Sequence, residues 1–390
     1  MQTYPPRGTL LRVRTALCLV LCSLMSGTCC FAQEAKVLWA VDLSANQDFL
    51  RRSHASILLP HPPALDFLDN DRILLSFDDD SASVPTPTNL AVRPFGFHVL
   101  EINAGNGSTG NELSFPVVRD TSRAAAIAEG GFFVIAGQML KKFDSRFQEA
   151  MSLPAPLGKV IAGQNGSAPG DPSAWSMERW EMDVTPGGNE LLLAHLVNSR
   201  EMHVSWLLSR NLHEVASTTL LPGKSISAAH EKLFQIREQP LVALADGHVV
   251  PICPNCRPVS KGGFLTDDLL FLAERDHYKL MSTSGALVSS GKLKVGVSSF
   301  CRSRASNRFA FTTGYYQGLG FPLESDFSLR MTVRVVDWKS GKEVSSVSIA
   351  ERAKPASSGG SLSAIALSPD GARLLVLQGS LLSCYALPKP

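Results

Sequence analysis

The sequence predicts an all-β fold, a seven-bladed β-propeller of four-stranded antiparallel blades, closed by pairing an N-terminal strand with a C-terminal one. Three observations predict it. One hairpin pattern recurs along the chain, an outer hairpin follows most of its copies, and a lone strand near the start matches an unfilled place at the end. The clearest copy spans residues 363–377, where an apolar run, a Ser-Pro-Asp-Gly turn and a second apolar run follow one another. Proline presets one backbone angle of such a turn, and Asp-Gly supports the positive φ that tight hairpins need.

The same pattern fits without gaps at residues 298–311 and at 180–194, where Thr185-Pro186-Gly187-Gly188 takes the place of the turn. A fourth copy, at 65–77, has a turn one residue shorter at Asp69-Asn70-Asp71, and looser copies at 124–136, 226–236 and 264–272 bring the starts to seven. Outer hairpins are predicted around Ser340-Gly341, Asp144-Ser145-Arg146, Ser209-Arg210-Asn211 and Thr283-Ser284-Gly285, each a turn between β-rich runs. The starts are unevenly spaced, so two blades carry long insertions. These are read at residues 165–172, rich in Gly, Ser and Pro, and at residues 315–327. Residues 382–387 leave the last blade one strand short, while residues 37–43 form a strand without a blade. Pairing the two closes the ring and hides both sheet edges.

The first 32 residues carry the three parts of a secretory signal: Arg7, Arg12 and Arg14 with no acidic residue, an apolar stretch from Ala16 to Met25, and small residues at Ser26, Gly27 and Thr28. Cleavage is expected after Ala32, leaving residues 33–390 as the propeller and placing it in the periplasm, cell envelope or extracellular space. The apolar stretch is shorter than the roughly 18 to 20 residues of a membrane-spanning helix, so no permanent span is expected. Cys29 and Cys30 invite a lipoprotein reading, but Ser-Gly-Thr before them does not make the lipidation motif. Three of the 37 basic residues precede residue 33, which leaves 34 against 35 acidic ones and argues against nucleic acid as a partner. With 44% hydrophobic and 18% charged residues, the chain can bury a large core.

The Ser-Pro-Asp-Gly-x-Arg-Leu hairpin at residues 368–374 and the Val-x-Asp-x-x-Ser-Gly-Lys turn at residues 335–342 resemble the repeats of bacterial YVTN-type propellers. That superfamily also holds WD-repeat proteins and the heavy chains of quinoprotein amine dehydrogenases. The resemblance covers the mature chain at the level of fold and is specific at three or four blades; the Trp-Asp pairs of true WD repeats are missing. It implies a scaffold, since such propellers host lactonases, dehydrogenases, receptors and assembly factors alike.

Chemistry-bearing candidates are few. Asp66 and Asp183 share one column of the hairpin pattern with Cys301 and Ala366, on the innermost strand that borders the axial channel. Two carboxylates there can act as acid and base or bind a cation; the plainer reading is that each accepts hydrogen bonds from nearby backbone. Cys253-Pro254-Asn255-Cys256 is a C-x-x-C, open to redox, zinc and haem readings. Arg257 stands where haem attachment needs histidine, Cys301 and Cys384 are far away for zinc, and Pro251 and Pro258 oppose the helix of a redox motif. The preferred reading is a small disulfide that staples a loop in an oxidising compartment. Asp78-Asp79-Asp80, with Asp69 and Asp71, lacks the spacing of a calcium loop. Nine histidines are scattered, and His54 and His61 with Arg51 and Arg52 mark a second, loop-borne candidate. No cofactor and no metal is expected.

Two functions follow from different classes. The first is a non-catalytic exported propeller that binds a protein or a glycan through its loop face, favoured by the absence of any local catalytic motif. The alternative is a lactonase-like or dehydrogenase-like enzyme whose groups converge from several blades on the central channel.

Overall fold

The structure is a computed structural model, and it describes residues 33–46, 63–79, 95–117, 122–136, 139–155, 179–198, 201–317, 328–350 and 363–389. Residues 1–32, on which the export reading rests, lie outside the described residues. Seven antiparallel sheets follow one another along the chain; within each, successive strands pair, and the two N-terminal strands, Gln33–Glu34 and Lys36–Asp42, add to the outer edges of the sixth and seventh. The innermost strands of blades 1 to 7 are Ala64–Phe67, Ser122–Ala126, Arg179–Val184, Lys224–Ala229, Lys261–Thr266, Val297–Arg302 and Ser363–Leu367. Each packs against the next and the last packs against the first, which makes the ring.

The closing strand is Lys36–Asp42, which supplies the outermost strand of blade 7. It runs antiparallel to Leu381–Ala386, with Lys36 opposite Ala386, Asp42 opposite Leu381, and a bulge between Val37 and Trp39. The indole N–H of Trp39 then reaches blade 1, donating to Ala104 O at 2.8 Å.

Local chemistry explains the hairpins. At the turn of blade 7, Gly371 has φ 70° and its N–H donates to Ser368 O at 2.8 Å. Blade 3 repeats this with Gly188 at φ 74° and Thr185 O as acceptor, also 2.8 Å away. A side chain other than glycine is strained at such angles, so these two glycines set where the inner strands of blades 7 and 3 reverse. One sequence expectation shifts here. Tyr315–Gln317 are strand, paired with Ser328–Arg330, so the insertion in blade 6 begins later than residue 315.

Apolar packing holds the ring. Among the described residues seven core clusters lie between adjacent blades, one per interface; Phe67, Ile73 and Leu75 of blade 1, for example, meet Leu375, Leu377 and Leu382 of blade 7. The second strands are buried on both faces, which is why Phe132–Ile135 and Leu374–Leu377 read as continuous apolar runs. Trp180 and Trp206 of blade 3 are fully buried, each contributing about 3 kcal/mol of transfer free energy.

One core side chain makes stability depend on pH. His195 lies flat on Trp180 with ring centroids 4.3 Å apart, and neither of its nitrogens has a partner among the described residues. Burial, assisted by His203 opposite it on the next strand, pushes its pKa down to about 4. The unfolded chain then takes up a proton near pH 6.5 that the folded protein refuses, so stability holds above that pH and falls as pH drops towards about 4. Two and a half pKa units correspond to about 3 kcal/mol. Replacing His195 with Phe keeps the ring stack and is expected to remove this part of the acid sensitivity. Urea unfolding at pH 7 and pH 4.5 measures it, and an equal loss in both proteins would refute the assignment.

Candidate functional site

Strands alternate direction within each blade, so the turns between first and second strands, and between third and fourth, lie on one face of the ring. The connections between second and third strands, and from each blade to the next, lie on the other. We call these the turn face and the loop face. The axial channel runs between them and holds a cavity of about 320 Å³ lined by the innermost strands.

Asp66 and Asp183 both line that cavity, beside Cys301, Arg302, Arg304 and Lys261. Their oxygens are already engaged. Asp66 accepts from the N–H of Phe67 at 2.8 Å and from Arg304 Nη2 at 2.6 Å. Asp183 accepts from the N–H of Val184 at 2.9 Å and, across the blade boundary, from the N–H of Ala228 at 2.7 Å. Burial pushes the Asp183 carboxyl above the usual carboxylate range, while Arg302, the Ala228 amide and Ser227 pull it back. Ser227 occupies the equivalent place in blade 4 and accepts from the N–H of Phe264 in blade 5 at 3.1 Å. Burial also raises the thiol pKa of Cys301, with Asp66 adding to the shift.

Sequence reasoning missed the two arginines. They belong to the tripeptide Arg302-Ser303-Arg304, where blade 6 leaves its innermost strand at the turn face. Arg302 crosses the channel to donate to Phe264 O in blade 5 at 2.6 Å and to Val184 O in blade 3, with Ser227 Oγ of blade 4 at 3.5 Å. Arg304 reaches Asp66 in blade 1 and donates to Ala126 O in blade 2 at 3.0 Å. Ser303 Oγ donates to Pro369 O of blade 7 at 2.7 Å. Three consecutive residues of blade 6 thus touch all six other blades. A guanidinium suits this role because its fixed, planar set of donors can satisfy carbonyls on different strands at once. The clue in the sequence is the departure from pattern. Arginine stands at 302 where the other strict copies carry Phe67, Val184 and Leu367.

The remaining candidates do not join this site. Cys253 and Cys256 form a disulfide in the connection between blades 4 and 5. Asp69 is held by Arg72 at 2.6 Å within its own turn. Asp80, Arg51, Arg52, His54 and His61 lie outside the described residues, as do residues 165–172 and 318–327. Among the described residues there is no group of three metal-ligating side chains.

No family model matches this sequence, and no curated protein matches it. Among solved structures, a chain of the mitotic checkpoint complex is similar at 12% identity and a TM-score of 0.48, over 90% of this chain and 91% of that one. The Pan2 WD40 domain of Neurospora crassa is similar at 8% identity and a TM-score of 0.42, over 92% and 97%. Chaetomium thermophilum Raptor is similar at 10% identity and a TM-score of 0.48, over 84% of this chain and 28% of that one. At these levels the likeness carries no function across. The fold rests on the strand ladders themselves, and by them the chain is a seven-bladed β-propeller of four-stranded blades.

Proposed function

We propose that the chain is an exported propeller of the YVTN type that holds a protein partner on its loop face. One observation carries this reading: the alternation of strands sends the chain out on the same face at both predicted insertions. It leaves blade 2 at Pro154 before Arg179, and the second strand of blade 6 at Gln317 before Ser328. Long connections gathered on one face of a rigid ring are the usual place for recognition. The channel supports the same reading, because its two carboxylates are occupied by amides and an arginine that tie blades together. A general base would need an oxygen free to meet substrate.

Three measurements test it. The protein expressed from Met1 and recovered from the envelope is expected to begin at Gln33 by intact mass; a chain retained in the cytoplasm with its first 32 residues would contradict export. In affinity enrichment from envelope extract, a partner is expected to bind wild type and Asp66→Asn alike, and to be lost when residues 165–172 and 318–327 are replaced by Gly-Ser linkers. Undiminished capture by the linker variant would overturn the loop-face assignment. Turnover of a lactone, amine or sugar acid that vanishes in Asp66→Asn would favour the enzymatic alternative.

A further inference from the structure

The disulfide has surroundings that a plain staple does not need. Cys253 and Cys256 follow the outermost strand of blade 4, Val249–Pro251, and precede the innermost strand of blade 5. The segment is anchored on both sides without the S–S bond. The Ile252 N–H donates to Pro240 O at 3.1 Å and the Ser260 N–H to Ala273 O at 2.8 Å. A crosslink between residues only three apart closes a very short loop, the case in which chain-entropy stabilisation is smallest.

Beside the bond stands Lys279, on the third strand of blade 5, with Nζ 3.5 Å from Cys256 Sγ. The ammonium also donates to Glu274 Oε1 at 2.6 Å, and the Glu274 side chain is only 4% exposed, so the lysine is held in place. Three N–H groups let it serve both acceptors. The other charged groups nearby are Arg257, paired with Asp276 at 3.0 Å, and His277, 3.1 Å from the same carboxylate. Both sulfurs belong to residues that are only partly buried. A cation fixed beside one sulfur of an accessible pair favours that sulfur as thiolate, and therefore as the leaving group in exchange.

We propose that Cys253–Cys256 is a reversible redox pair, with Lys279 holding Cys256 as the thiolate. The reductant is a thiol donor, either a small dithiol or a protein dithiol. Its thiolate attacks Cys253 Sγ, the S–S bond breaks, and its electron pair stays on Cys256 as thiolate beside Lys279. The donor's second thiol gives up its proton and attacks the mixed disulfide. Cys253 leaves and takes up a proton as a thiol. The donor is oxidised to its disulfide and the pair is reduced by two electrons. This inference does not depend on the loop-face reading.

The test uses the full chain, reduced with dithiothreitol, and follows iodoacetamide alkylation of the Cys256 peptide against pH by mass spectrometry. In wild type the rate is expected to reach half its plateau about one unit below the ordinary thiol value of about 8.5. Lys279→Met is expected to raise that midpoint and slow alkylation at pH 7 about tenfold, and Lys279→Arg to restore most of it. Glu274→Gln, which releases the lysine from its carboxylate, is expected to lower the midpoint further, and it gives a readout should Lys279→Met fold poorly. A wild-type midpoint at or above about 8.5, or one that none of the three variants moves, would overturn the proposal.

Discussion

Arg302→Ala is expected to lower the stability of the ring by about 3 kcal/mol, more than any other single change at the channel. The side chain is only 12% exposed and donates to carbonyls of two innermost strands, those of Val184 and Phe264, that belong to blades 3 and 5. Its removal leaves two inward-facing carbonyls without donors. It also strips Asp183, a carboxylate already disfavoured by burial, of its neighbouring positive charge. Truncating one member of a charged hydrogen-bonded set costs more than the set is worth, because the partners stay buried and unsatisfied. Arg302→Lys is expected to recover little, since one ammonium cannot span two blades in the geometry of a guanidinium. Urea unfolding followed by tryptophan fluorescence reads the change directly, as Trp180 and Trp206 are both buried in blade 3. A loss below about 0.5 kcal/mol, the range of ordinary surface substitutions, would mean that the arginine is ornamental.

Deleting the closing strand is expected to have the second large effect. Without Lys36–Asp42 the strand Leu381–Ala386 becomes an open edge, and the core cluster between blades 7 and 1 loses Trp39 and Val41. An exposed edge with apolar neighbours invites pairing with other chains. The deletion protein is expected to elute as aggregates in size-exclusion chromatography and to lose its sharp thermal transition. A monomer that melts where wild type does would show that the ring closes without this strand. The milder Trp39→Ala keeps the strand but removes the indole and its bond to Ala104 O. It should destabilise by about 2 kcal/mol while leaving the protein monomeric.

The two halves of the problem differ in how far they can be read from residues. Seven blade starts are legible because a hairpin is a local object: Pro369-Asp370-Gly371 and Pro186-Gly187-Gly188 write their turns into a few adjacent positions. Closure is legible too, since a strand without a blade and a blade without a strand are both visible. The column that places Asp66 and Asp183 on the channel wall follows from the two-residue period of a strand. What holds those carboxylates does not, because Arg304 and Asp66 are 238 residues apart in sequence and only the assembled ring brings them together. The same holds at the disulfide. Cys253 and Cys256 sit close enough in sequence to suggest a bond, whereas Lys279 arrives from the next blade, 23 residues beyond Cys256.

The channel carboxylates are members of a structural hub, and a double-mutant cycle between Asp66 and Arg304 measures how strongly they belong to it. Asp66→Ala, Arg304→Ala and the double variant are unfolded in urea, and the coupling energy is the part of the two losses that does not add. The ion pair is 2.6 Å long, with Arg304 15% and Asp66 40% exposed, so a coupling of about 1 kcal/mol is expected. Additive losses, with Asp66→Ala as stable as wild type, would mean that the carboxylate stands free in the channel and is available for chemistry.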